Sequence, residues 1–83
     1  MLSEEQLEEI SEDPNFIKII NEMKKEKRTL SKEKLDKIES IMRTDLDQII
    51  KKYIGKVDSR KNHLKMGIEI FFLTEEYKSK GLI

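Results

Sequence analysis

Residues 63–81, HLKMGIEIFFLTEEYKSKG, constrain this chain more than any other stretch. Set 100° apart on a helix, their apolar side chains fall on two stripes. Leu64, Ile68, Phe71 and Phe72 share one side, and Met66, Ile70, Leu73 and Tyr77 lie roughly opposite. An ordinary surface helix carries one such stripe, whereas a helix with two needs cover on two sides. The same segment also alternates at Leu64, Met66, Ile68, Ile70 and Phe72, as a half-buried strand would. No other segment offers a strand partner, so that alternative requires a second chain, as in a β-ribbon dimer. End signals favour the helix: Asp58 or Ser59 as a cap before it and Gly81 after it.

Three further helices are legible upstream. Ser3 and Gln6 have capping-box spacing, with Leu2 and Leu7 at the staple positions around them. That first helix is short, because Asp13-Pro14 interrupts it. Asp13 is a good N-cap and Pro14 suits the first position of a second helix. Phe16, Ile17, Ile19, Ile20 and Met23 give that helix an apolar face, and the basic run at 24–28 suits its C-terminus. Ser31 caps a third helix, again with staple residues Leu30 and Leu35. Leu35, Ile38, Met42, Leu46, Ile49 and Tyr53 then step by three or four residues, the clearest periodicity in the chain, until Gly55 ends it. Thr44 offers a competing cap, so a kink or break near Arg43-Thr44-Asp45 is the alternative there.

These elements predict an all-α fold: one helical domain over 1–83, a small four-helix bundle with a short first helix and helices three and four antiparallel at its centre. At 83 residues the chain keeps much of its surface exposed. No cysteine is present, which excludes disulfides and thiolate chemistry. The longest unbroken apolar run, Ile70-Phe71-Phe72-Leu73, is far below the roughly 20 residues a spanning helix needs, so no membrane partner is expected. The acidic start lacks the features of a secretory signal, and a cytoplasmic location is expected.

Candidate chemistry is sparse. His63 is the only histidine and has no motif around it. Asp45 and Asp47 begin a calcium-loop spacing, but Ile49 and Ile50 stand where an oxygen ligand and a glycine belong. No catalytic, cofactor or metal site is therefore expected, and the chain does not read as an enzyme. Two charge clusters remain within a total balanced at 17 basic and 17 acidic residues. Glu4, Glu5, Glu8, Glu9 and Glu12 form an acidic ribbon, readable as solvated surface, as a docking strip for a basic partner or as a mimic of nucleic-acid charge. Lys51, Lys52, Lys56, Arg60, Lys61 and Lys65 form the opposite cluster, with Asp58 the one acid among them, readable as solvated surface or as a partner of the acidic ribbon inside the same molecule.

The leading expectation is a small non-enzymatic regulator, of inhibitor, immunity or adaptor type, that binds another protein. Its contact residues would be Met66, Ile70, Leu73 and Tyr77 on the second stripe, with Glu5 and Glu9 on the ribbon. Self-association into a homodimer through the C-terminal helix is part of that expectation. The alternative is a small DNA- or RNA-binding regulator using Lys51, Lys52, Lys56, Arg60, Lys61 and Lys65 on phosphates. Against it, the helix that follows lacks the polar side chains that read base edges, and no aromatic stacking platform is apparent.

Overall fold

The structure, a computed structural model, describes residues 2–83. Among them lie four helices and no strand: α1 (Glu4–Ser11), α2 (Pro14–Thr29), α3 (Lys32–Tyr53) and α4 (Arg60–Ser79). The start signals act as their chemistry requires. The Ser3 hydroxyl accepts from the Gln6 backbone N–H at 3.1 Å, and the Gln6 side chain accepts from the Ser3 N–H at 2.9 Å, completing the capping box. Asp13 caps α2 with Pro14 at its first position, and Ser31 caps α3. Ser59, rather than Asp58, caps α4.

Two helix ends rest on glycine. Gly55 follows α3 at φ 77°, and Gly81 follows α4 at φ 71°, a left-handed backbone that side chains with a Cβ resist. At the end of α4 the Gly81 N–H donates to the Lys78 carbonyl and the Leu82 N–H to the Tyr77 carbonyl, each at 3.0 Å. That pair of bonds is the Schellman closure. Thr44 starts no new helix, and α3 runs uninterrupted through it. The apolar face on either side of Thr44 holds one register, so packing outweighs the local cap.

α4 packs against each of the other three helices, and its contact with α3 is the most extensive. On one side, Ile68 joins Leu7 of α1 and Ile20 of α2 in a fully buried core, with Leu2, Ile10, Phe16, Leu64 and Phe71 around it. Phe16 meets Phe71 edge-on and stacks on Phe72, both at 5.5 Å between ring centroids. Gly67 lets α2 approach closely: a Cβ built there would lie 3.4 Å from the Ile20 Cγ2. On the other side, α3 runs antiparallel to α4, with Asp45 opposite Tyr77 and Lys52 opposite Glu69. Met42, Tyr53 and Leu73 are buried. The two stripes of α4 are thus covered by different neighbours, α1 and α2 for the first and α3 for the second.

Candidate functional site

The acidic ribbon and the basic cluster meet inside one molecule. As α1 runs antiparallel to α4, its glutamates at 4, 8 and 12 come one turn apart onto the lysines. Glu4 reaches Lys52 at 2.9 Å and Lys65 at 3.9 Å. Glu8 pairs with Lys65 at 2.6 Å and with Lys61, which also reaches Glu12 at 3.5 Å. The Lys52 bond holds the Glu4 carboxyl below the usual carboxylate range, and Lys61 then Lys65 do the same for Glu8. Glu8, with Glu12 behind it, raises Lys61 in return.

Lys52 also ties α3 to α4 through the Glu69 carboxylate at 3.0 Å. Only 9% of the Glu69 side chain is exposed. A carboxylate that deep needs a charged partner and hydrogen bonds. Burial opposes charge on Lys52, but its bonds to Glu4 and Glu69 prevail and raise its pKa. The second Glu69 oxygen and the Tyr53 hydroxyl are both buried, and neither has a hydrogen-bond partner among the described residues. Burial and then the Glu69 charge push the Tyr53 phenol upward. Glu69 is the residue that sequence reasoning passed over. The signal was present: it is the only charge between Met66 and Leu73.

The expected contact residues separate into two groups. Leu73 is buried, and the Tyr77 hydroxyl donates to Asp45 Oδ2 of α3 at 2.8 Å. Met66 and Ile70 are half-buried on the same side. That stripe is therefore largely occupied by α3. Glu5 and Glu9 are exposed and make no ion pair among the described residues, because they lie 100° around α1 from the paired glutamates. Of the basic cluster, Lys52, Lys61 and Lys65 are paired, whereas Lys51, Lys56 and Arg60 form no ion pair among the described residues. His63 is exposed, and no group of three His, Asp or Glu among the described residues is placed to hold a metal. No helix among them is long and apolar enough to cross a membrane.

One open concavity runs between α1, α3 and α4, with a volume of about 670 Å³. It exists because α1 has 8 residues while α3 has 22 and α4 has 20. The short helix covers the seam between the two long ones only part of the way. Beyond Leu2 and Gln6 the seam is uncovered, with Ile49, Phe72 and Leu73 as its apolar wall and Asp45, Gln48 and Glu76 around it. Phe72 stacks on Phe16 with one part of its ring and keeps 38% of its surface in solvent. Comparison with protein-family models, with curated proteins and with solved structures finds no match.

Proposed function

We propose that this chain is a non-enzymatic binding module that regulates or assembles another protein by seating one of its helices in the α1–α3–α4 groove. The observation that carries the reading is the open concavity along the α3–α4 seam, where Ile49, Phe72 and Leu73 face Leu2 and Gln6 from the α1 side. A helical bundle with one short member offers a partner helix the same ridges and grooves that its own helices use. Recognition of this kind works through apolar anchors spaced along one face of the incoming helix. Asp45, Gln48 and Glu76 at the rim would set its register through polar contacts.

Photo-crosslinkers placed at Gln48 and at Glu76, with a control at exposed Arg43 on the opposite face of α3, test the reading. One partner protein should crosslink from the two groove positions and not from Arg43. Gln48→Trp, at an exposed position, should block that crosslink while leaving the thermal melt unchanged. Equal capture from all three positions, or capture unaffected by Gln48→Trp, would remove the groove from the proposal. Self-association belongs to the same test: light scattering reads whether a second copy is the partner. The nucleic-acid alternative draws on Lys51, Lys56 and Arg60, but loses half of its cationic footprint to the α1 glutamates. It requires binding that falls steeply between 50 and 200 mM salt.

A further inference from the structure

From the end of α3 to the start of α4, every residue over 54–61 is exposed. Ile54 keeps 68% of its surface in water and Val57 46%, and Ile50 one turn before is also exposed. Gly55 turns the chain with nothing within 4 Å of where its Cβ would be. Around these aliphatic side chains stand Lys51, Lys56 and Arg60, the three members of the basic cluster that α1 does not pair. Asp58 is the one acid between them.

We infer that this exposed tip attaches to the surface of an anionic lipid bilayer, with Ile54 and Val57 entering the acyl boundary and Lys51, Lys56 and Arg60 meeting the headgroups. Three features select this occupant. Residues 54–61 are all exposed and none of them lines the groove, so the apolar side chains there suit a medium that deforms around them. Lys51, Lys56 and Arg60 stand within three residues of Ile54 or Val57, so cations flank the aliphatics. A nucleic acid would meet the cations but gains nothing from exposed Ile54 and Val57, which neither stack on bases nor hydrogen-bond to their edges. Expectation from the sequence considered only a spanning helix, and surface attachment needs none. Each Lys or Arg near an anionic leaflet is worth about fivefold in partitioning, and the attraction fades within a Debye length. None of residues 54–61 lines the groove described above, so variants at the tip leave its lining unchanged.

Co-sedimentation of the full chain with vesicles tests this directly. Binding should appear on phosphatidylcholine vesicles carrying 30 mol% phosphatidylserine, be absent on phosphatidylcholine alone, and weaken with salt. Lys56→Glu with Arg60→Glu should reduce partitioning by about 25-fold or more. Ile54→Ser with Val57→Ser, which keeps the charge, should reduce it by at least about tenfold. All four side chains are exposed, so circular dichroism should confirm an unchanged fold in both variants. Absence of binding to the anionic vesicles at low salt would overturn the inference. So would binding insensitive to the serine pair, with equal affinity for a DNA duplex, which would make the tip a plain cationic surface.

Discussion

Gly67 gives the sharpest test of how α2 and α4 meet. It lies in the interior of α4, buried, where glycine costs a helix about 0.8–1 kcal/mol relative to alanine. A methyl group added there would sit 3.4 Å from the Ile20 Cγ2, at the inner edge of ordinary contact. Gly67→Ala should therefore recover most of the helical term and lose little to crowding, for a net stabilisation of about 0.5–1 kcal/mol. For a domain of this size that is a rise in melting temperature of about 2–8 °C. Gly67→Leu receives the same helical gain but drives a branched side chain against Ile20, which has no exposed surface to retreat into. Overpacking of that kind costs about 1–3 kcal/mol or more, so the sign should reverse. Urea and thermal melts followed by circular dichroism measure both variants. If Gly67→Leu is as stable as Gly67→Ala, Ile20 does not pack over Gly67. If Gly67→Ala loses more than about 1 kcal/mol, the helices approach more closely than 3.4 Å allows.

Other expectations follow from burial and charge. Ile68→Ala, in the fully buried core, should cost about 2–5 kcal/mol in denaturant melts, whereas Ile54→Ala at the exposed tip should stay within about 0.5 kcal/mol. Lys52→Met strands the Glu69 carboxylate and should cost about 1–3 kcal/mol, with much of that recovered when Glu69→Gln is added, as a double-mutant cycle would measure. Glu4 and Glu8 are held below their ordinary 4.5 by Lys52 and Lys61, so their contribution is complete above that value and is lost as pH falls through the folded-state values. Melting temperature should accordingly decline on acidification below about pH 4.5, and Glu4→Gln with Glu8→Gln should flatten that decline. Tyr77 is raised above 10.0 by its bond to Asp45 and Tyr53 by burial, so tyrosinate absorbance should appear at higher pH in the folded protein than in urea.

The helices were legible because their signals are local. Ser3, Asp13 and Ser31 each stand one residue before a periodic segment, and each caps the helix that follows. The two stripes of α4 were legible from angle alone, and α1, α2 and α3 divide them as a central helix requires. What covers the second stripe was not legible, because Leu73 facing α3 and Leu73 facing another chain demand the same residues. Only the antiparallel register, marked by Tyr77 on Asp45, distinguishes them. The charge clusters, and their pairing within one molecule as one reading of them, were visible in the sequence, but which lysine meets which glutamate depends on how α1 crosses α4, a long-range fact. The groove escaped for the same reason. Its lining comes from three segments far apart in sequence, and no one of them is unusual alone.

The brevity of α1 links these features. Eight residues supply only the turns needed to bring Glu4, Glu8 and Glu12 against Lys52, Lys61 and Lys65, and to place Leu7 over Ile68. That fastens the helix at the end of the bundle nearest the α3–α4 turn and leaves the rest of the seam open. It also sorts the charge. The neutral total conceals an internal ladder that cancels itself, an outer pair, Glu5 and Glu9, and an unpaired basic tip. A longer α1 with the same pattern would close the groove without touching the tip. A neutral α1 would free Lys61 and Lys65 beside the tip, with Lys52 still held by Glu69, without filling the groove. The two candidate surfaces are therefore separable by sequence: groove occupancy follows the length of α1, and the field around residues 54–61 follows its charge.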